Sequence, residues 1–97
     1  MRTPLIAANW KMHKTVDEAM AFLKVFRRLT KDVTGVDIVI APPFTALTAV
    51  VAAVQGSSIA VAGQDVFWEA DGAFTGAISP KLLLQTGATR VIIGHSE

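Results

Sequence analysis

The stretch VDIVIAPPFTALTAVVAAVQGSSIAVA, residues 36–62, decides the fold class. It begins with VDIVIA (36–41), an apolar run rich in Val and Ile that is typical of a buried β-strand, and Pro42-Pro43 ends that run. Residues 44–54 are rich in Ala and fit a short buried helix, and SIAVA (58–62) predicts a second strand. Strand, helix and strand in succession predict a βαβ unit, the usual connection between parallel strands.

The same alternation extends on both sides of this unit. PLIAAN (4–9) predicts an earlier strand and RVIIG (90–94) a later one, and Thr15 with Glu18 matches a helix-capping box. Apolar residues at helical spacing then continue to about Thr30: Met20, Phe22, Leu23, Phe26 and Leu29. The order βαβαβαβ, with strands that are apolar almost throughout, predicts an α/β fold whose parallel sheet is covered on both faces.

One connection is much longer than the others. Residues 63–78, GQDVFWEADGAFTGAI, show no clear periodicity, whereas connections in such units are usually about 2–6 residues long. Three aromatic residues lie in this segment: Phe67, Trp68 and Phe74. Ser79 followed by Pro80 then predicts the start of the third helix. Long connections in α/β folds are often functional, and clustered aromatic residues on one loop favour a docking role.

The composition narrows the classes of partner. The chain has 97 residues, of which 52% are hydrophobic and 18% charged, so it has little polar surface to cover a core and is expected to oligomerise or to form part of a larger protein. The nine Lys and Arg are scattered along the sequence, with a net charge of +1, and show no basic stripe, which argues against nucleic acid as a partner.

Membrane insertion and disulfide bonding are also disfavoured. The longest apolar stretch, residues 36–54, is interrupted by Asp37 and by Pro42-Pro43, whereas a membrane span needs about 20 mostly apolar residues. The chain has no cysteine, which excludes disulfides and thiolate metal sites and suits a cytoplasmic location.

Polar residues follow three of the four predicted strands. Asn9 and Lys11 follow the first, Gln64 and Asp65 follow the third, and a further polar cluster follows the fourth: His95, Ser96 and Glu97. Ligands of parallel α/β folds lie at the carboxyl ends of the strands. If the sheet curls into an eight-stranded barrel, the ends of the first and fourth strands face each other across its mouth. An anionic small substrate near Lys11, with His95 as an acid–base or hydrogen-bonding group, fits that arrangement better than a metal.

Each residue alone has a simpler interpretation. Lys11 could be a solvated loop lysine, Asn9 a turn former at a strand end, and His95 with Glu97 a structural hydrogen-bonded pair. Glu97 could also begin the next helix, where a carboxylate complements the helix dipole. His13 and Lys14 are interpreted as surface residues. Two other functions therefore stay open: a module that binds a sugar phosphate without turnover, and a structural protein that assembles through residues 63–78.

Four segments carry a family resemblance that covers the whole chain. They are AANWKM (7–12), GQDV (63–66), GAFTG (72–76) and VIIGHSE (91–97), and in this order and spacing they resemble the signature segments of triosephosphate isomerases. The resemblance implies a (β/α)₈ TIM barrel that interconverts dihydroxyacetone phosphate and glyceraldehyde 3-phosphate. It implies a proton transfer through an enediolate that needs no cofactor and no metal, as a step of glycolysis and gluconeogenesis.

The resemblance also assigns roles to residues. Asn9 and Lys11 are implied to contact the substrate, with Lys11 near the phosphate and the developing oxyanion. His95 is implied to be the catalytic electrophile that hydrogen-bonds the substrate oxygens and shuttles protons between them. Glu97 is implied to pair with Lys11, and Ser96 to orient the catalytic carboxylate.

A homodimer is implied as well, because in this family the long third loop inserts into a neighbouring subunit. The interface residues implied are Gln64, Asp65, Phe74, Thr75 and Gly76, with Thr75 near the tip of the loop. The chain departs from the family pattern at Ala77, where the family commonly has a glutamate. An inter-subunit ion pair is therefore in doubt at this position, and apolar contact is expected to contribute more.

The resemblance implies that residues 1–97 are the N-terminal part of a single barrel domain. A barrel of this kind has about 250 residues, and only four of its eight strands are predicted here. The general-base glutamate is expected on a later loop that this sequence does not contain. The 97-residue chain alone is therefore expected to be inactive.

Overall fold

The structure is a computed structural model that describes residues 2–94. Strands and helices alternate in this order: β1 (Leu5–Asn9), α1 (Val16–Thr30), β2 (Asp37–Ala41), α2 (Phe44–Ala53), β3 (Ile59–Gly63), α3 (Pro80–Gln85) and β4 (Arg90–Val91). All neighbouring strands are parallel, and the sheet order is β1-β2-β3-β4. The predicted order βαβαβαβ is confirmed. None of the described helices is both long and apolar enough to cross a membrane.

The strand β4 is shorter than the predicted 90–94. It contains two residues, although the Ile92 N–H still donates a hydrogen bond to the Gly63 carbonyl at 2.9 Å. Within residues 2–94, β4 pairs with β3 alone, so its outer side lacks the second ladder that would continue the strand. The apolar sequence continues to residue 93, but regular strand pairing ends at Val91, so the predicted strand was too long.

The two faces of the sheet are lined by alternating strand residues. One set packs with α1, α2 and α3 around the main core: Ile38, Ile40, Ile59, Val61 and Val91. The other set forms a smaller cluster that contains no residue of a described helix: Val39, Ala41, Ala60, Ala62 and Ile92. The described helices thus cover one face, and the other face carries the smaller apolar cluster. Sequential strand order with every helix on one face is the arrangement of a sheet that curls into a barrel.

The start of α1 follows the predicted capping box. The Thr15 side-chain oxygen accepts a hydrogen bond from the Glu18 N–H at 3.2 Å, and the Glu18 carboxylate accepts one from the Thr15 N–H at 2.9 Å. These two bonds satisfy backbone donors that have no partner inside the helix. The capping box therefore defines where α1 begins.

The apolar stripe predicted for α1 is only partly correct. Ala19 and Leu23 are buried, whereas Leu29 is 71% exposed. Leu29 comes six residues after Leu23, which places it about 120° away around the helix axis. It therefore lies on a different side of α1 from the residues that contact the core.

The first strand is more exposed than its apolar sequence predicted. Leu5 and Ile6 are 56% and 59% exposed. In the described part of the chain β1 pairs only with β2, so it is an edge strand of the sheet. The residue that follows it, Trp10, is buried nevertheless, because its ring packs edge to face against Phe22 of α1.

Stability should depend on pH through Glu18. The pKa of this carboxyl is lowered from its ordinary value of 4.5, first because the Thr15 N–H donates to it and second because of the Thr15 side chain. A carboxyl whose pKa is lower in the folded state stabilises the fold above its unfolded-state pKa. That stabilisation disappears as the pH falls through the folded-state pKa.

We therefore expect the free energy of unfolding of the full-length protein to exceed that of Glu18→Gln at pH 7 and to approach it in acid. Denaturant unfolding at pH 7 and at about pH 3 measures the two differences. Thr15→Ala leaves the backbone bond to Glu18 in place, and should lower stability by about 1 kcal/mol at pH 7. A wild-type advantage over Glu18→Gln that is constant across this pH range would contradict the prediction.

Candidate active site

The carboxyl ends of β1, β2 and β3 lie at one edge of the sheet. Asn9, the last residue of β1, is paired in register with Ala41, the last residue of β2. Asn9 therefore shares the helix-free face of the sheet with Ala41. Lys11 follows two residues after Asn9, and Gln64 is the first residue after β3. The polar groups predicted after the first and third strands are thus brought to the same edge.

Asn9 and Lys11 form a compact turn at the end of β1. The Asn9 side-chain oxygen accepts a hydrogen bond from the Lys11 N–H at 2.9 Å. Lys11 has φ of 54°, in the left-handed region that residues other than glycine rarely adopt. Such strain persists only where neighbouring contacts enforce it, and it is concentrated at functional sites. The turn therefore marks Lys11 as a residue whose position is specifically maintained.

Gln64 joins this turn to the neighbouring strands. Its side-chain amide nitrogen donates to the Lys11 carbonyl at 2.8 Å and to the Ala41 carbonyl at 2.9 Å. One side chain from the end of β3 thereby fixes the ends of β1 and β2 as well. The Trp10 N–H adds a hydrogen bond to the Ala41 carbonyl at 3.0 Å. The backbone at Lys11 is consequently held from both sides.

This positioning role of Gln64 was not found from the sequence, which assigned Gln64 only to the dimer interface. The hydrogen bonds join residues that are 53 and 23 positions apart, so no local pattern could have indicated them. The interface role of Gln64 stays a prediction. The half-buried side chain already has two partners within its own chain.

The rings of Trp10 and Phe22 pack against the loop after β1. The Lys14 ammonium lies 5.5 Å from the centre of the Trp10 ring and 5.1 Å from that of Phe22. The Trp10 and Phe22 rings meet edge to face, with centres 5.6 Å apart. Lys14 is half-buried and has φ of 79°, so it is a structural residue of the loop and not the simple surface residue that was expected. His13 is exposed, as expected.

The long connection between β3 and α3 folds back on itself. The Phe67 N–H donates to the Ile78 carbonyl at 2.7 Å, and the Phe67 and Phe74 rings lie 4.4 Å apart. Trp68 remains 79% exposed beside this cluster. The other predicted interface residues of the loop, Asp65, Thr75 and Gly76, are also exposed. The loop is thus a closed unit that presents apolar and small polar groups outward.

His95, Ser96 and Glu97 lie outside the described residues. The two strands between β1 and β4 place their carboxyl ends about 14 Å apart along the sheet. The structure brings together Asn9, Lys11 and Gln64, and leaves the contribution from beyond β4 as a prediction. Within residues 2–94, no three His, Cys, Asp or Glu side chains are grouped closely enough to hold a metal ion.

Comparison with known proteins agrees with this architecture. Residues 4–97 match the family model described as triosephosphate isomerase. The triosephosphate isomerases of Citrifermentans bemidjiense and Pelobacter propionicus are 54% and 55% identical to this chain over all 97 residues. These matches cover 39% of each relative, so the chain spans about two fifths of their length.

A solved structure shows the same fold. The crystal structure of triosephosphate isomerase from Bartonella henselae superposes with a TM-score of 0.89 at 34% identity, over 98% of this chain and 39% of that one. The fold class expected from the sequence, the first half of a (β/α)₈ TIM barrel, is confirmed. The chain belongs to the triosephosphate isomerase family.

Proposed function

We propose that the full-length protein is a triosephosphate isomerase that interconverts dihydroxyacetone phosphate and D-glyceraldehyde 3-phosphate in glycolysis and gluconeogenesis. Family membership over residues 4–97 supports this activity. The observation that carries it is the strained Lys11 backbone, held by Asn9 and Gln64 at the carboxyl edge of the sheet. This edge is where barrel enzymes of all reaction types place their active sites.

The chemistry explains why a fixed cation is needed there. Removing a proton next to a carbonyl leaves negative charge on oxygen, and that charge must be met by donors already in position. An ammonium group at Lys11 also attracts the phosphate of the substrate. The rigid turn prevents the lysine backbone from relaxing away, so no reorganisation is required as the charge develops. Asn9 serves this arrangement twice, as a substrate contact and as the acceptor that holds the Lys11 N–H.

The residues after β4 complete the proposed site by their match to the family motif. His95 would act as the electrophile that hydrogen-bonds the substrate oxygens, and Glu97 would pair with Lys11. Ser96 would orient the catalytic carboxylate, a glutamate supplied from outside residues 1–97. No cofactor or metal takes part in this proposal, because acid–base groups and fixed charges suffice for the proton transfer.

We also propose that residues 1–97 are the N-terminal part of a single barrel domain and that the protein works in the cytoplasm. The continuous sheet supports the first point, since β1 to β4 pair in sequence without a break. The absence of cysteine is compatible with the second, because cytoplasmic proteins rarely depend on disulfides. The partners proposed are the triose phosphate and a second copy of the protein.

The loop between β3 and α3 is the proposed dimer contact. Thr75 and Gly76 are exposed beside Phe74, and Trp68 offers a large apolar surface that the chain itself leaves uncovered. Such exposed apolar groups on a loop that is closed by its own contacts favour docking of a preformed unit. Ala77 is exposed and carries no charge, so this interface would depend on apolar contact at that position.

The test of the activity is Lys11→Ala in the full-length protein. We expect kcat/KM for dihydroxyacetone phosphate to fall by about a hundredfold or more, because the fixed charge opposite the oxyanion is lost. Lys24→Ala is the matched control, since Lys24 is an exposed lysine on α1, and it should leave turnover unchanged. Full turnover in Lys11→Ala would contradict the proposal, as would a wild-type protein that binds the substrate without converting it.

A second prediction concerns Gln64. Gln64→Ala removes two hydrogen bonds, to the Lys11 and Ala41 carbonyls, which should lower the free energy of unfolding by about 1–3 kcal/mol, although the Trp10 N–H still donates to Ala41. The kcat should fall as well, because the Lys11 turn loses one of its supports. Gln55→Ala is the control: its side chain makes one exposed hydrogen bond, to the Val51 carbonyl, and its loss should change stability by less than about 0.5 kcal/mol.

Denaturant unfolding and steady-state kinetics measure these effects, and sedimentation shows whether the dimer is retained. Loss of the dimer in Gln64→Ala with unchanged stability would mean that Gln64 acts at the interface and not on the strand ends.

A third prediction tests the interface. Thr75→Arg places a long charged side chain at the exposed loop tip, so the dimer should dissociate and turnover should fall with it. Thr48→Arg makes the same change at an exposed position of α2 and should leave a dimer. Sedimentation velocity at low protein concentration measures both. A dimeric Thr75→Arg, or a monomeric wild type that is fully active, would show that the loop is not the contact.

A further inference from the structure

A second polar site lies at the opposite end of the sheet from Lys11. We name it the basic cleft, and it lies between the C-terminal half of α1, the loop before β2, and the loop that joins α2 to β3. Its volume is about 800 Å³, and the residues that characterise it are Lys24, Arg27, Arg28, Lys31, Ser57 and Ser58. A volume of this size is within the range of about 300–1,000 Å³ that small-molecule sites occupy.

The cations of the basic cleft come from one face of α1 and from Lys31, the residue directly after it. Lys24, Arg27, Arg28 and Lys31 follow the spacing i, i+3, i+4 and i+7, which aligns side chains along a helix. Four of the nine Lys and Arg of the chain are therefore gathered in one place. This corrects the expectation of scattered basic residues, which came from reading the charges along the sequence and not around the helix.

Arg27 has a structural task within the cleft. Its guanidinium donates a hydrogen bond to the Ala53 carbonyl at 3.0 Å, at the last residue of α2. α2 has no basic residue in its own last turn, so Arg27 complements the negative end of that helix from α1. This contact joins α1 to the end of α2 at one wall of the cleft.

The other three cations are left without such a partner. No carboxylate among residues 2–94 lies within 4.0 Å of Lys24, Arg28 or Lys31. Complementing the dipole of α1 accounts for basic residues in the last turn of that helix, but Lys24 lies well before it. The cleft therefore concentrates positive charge that the described part of the chain does not neutralise.

The spacing of the positive charges in the basic cleft indicates which kind of anion fits it. Lys24 and Lys31 are about 10 Å apart along the axis of α1, a distance that one phosphate group cannot span. Ser58 and Thr34 add hydroxyl groups on the facing loops. The lining contains no aromatic residue, so a nucleic acid base has nothing to stack on. These features fit a short chain of phosphate groups better than a single-stranded nucleic acid.

The cleft also lies away from the edges of the sheet. It is formed by α1, α2 and the loops beside β2 and β3, whereas the outer strands are β1 and β4. Its position at the amino ends of the strands separates it from Lys11 at the carboxyl ends.

We propose that the basic cleft is a binding site for oligophosphates, with Lys24, Arg28 and Lys31 contacting successive phosphate groups. The phosphate chain could be inorganic or part of a nucleoside triphosphate, and the cleft recognises the feature that they share. The site does not depend on the proposed isomerase activity, because none of its residues belongs to the candidate active site.

The test is calorimetric titration of the full-length protein with sodium tripolyphosphate at about 0.15 M salt. Lys24→Gln/Lys31→Gln should weaken binding by about tenfold or more, since two charge-assisted contacts are lost. Arg2→Gln/Lys81→Gln removes the same charge elsewhere and should change the affinity by less than about twofold. Lys11→Gln should also stay within about twofold, which separates the cleft from the active site.

Further measurements make the outcome decisive. Triose phosphate turnover should be unchanged in Lys24→Gln/Lys31→Gln, and tripolyphosphate should slow amide hydrogen exchange in residues 24–34 and 56–58. ATP binding as tightly as tripolyphosphate indicates recognition of the phosphates alone, and tighter ATP binding indicates a nucleotide, each within the proposal. The proposal fails if no saturable binding occurs, if the double variant binds normally, or if a single-stranded oligonucleotide binds more tightly than both.

Discussion

The parallel pairing of each strand with the next strand in the chain is the constraint on which the rest of the structure depends. Because of this pairing, the last residue of β1, Asn9, lies opposite the last residue of β2, Ala41. Gln64 lies one residue past the end of β3. A single amide can then reach both neighbouring strand ends. A shift of register by one residue would exchange the two faces of a strand and would also break this bridge.

The features that the sequence predicted well depend on residues close together in the chain. Thr15 and Glu18 are three positions apart, and their capping box forms as expected. Ser79 likewise caps α3 by accepting a hydrogen bond from the Leu82 N–H, three positions later. Apolar runs predicted the strands because both faces of a barrel sheet are buried. The family motifs then supplied the barrel, which neither periodicity nor composition could distinguish from other α/β folds.

The features that were missed depend on the third dimension. The bridge made by Gln64 joins distant residues, and its partners are carbonyl groups, which every residue carries. The prediction that Leu29 belongs to the apolar stripe of α1 was wrong, because an apolar residue at nearly helical spacing can still lie on a neighbouring side of the helix. The basic cleft was missed for a related reason, since its second wall comes from α2 and the loop after it. Residue identity indicated the chemistry, and packing determined which groups could meet.

The two ends of the sheet hold their cations in different ways, and the difference matches what each end is proposed to do. Lys11 has a strained backbone that Asn9 and Gln64 restrain, as suits a charge that must be in place before a reaction creates its counterpart. Lys24 lies in the regular helix α1, Lys31 directly follows that helix, and both residues are exposed. Flexible cations suit an extended anion whose groups they can follow, because a binding site needs no fixed transition-state geometry. The same residue type thus serves catalysis or binding according to how firmly the fold holds its backbone.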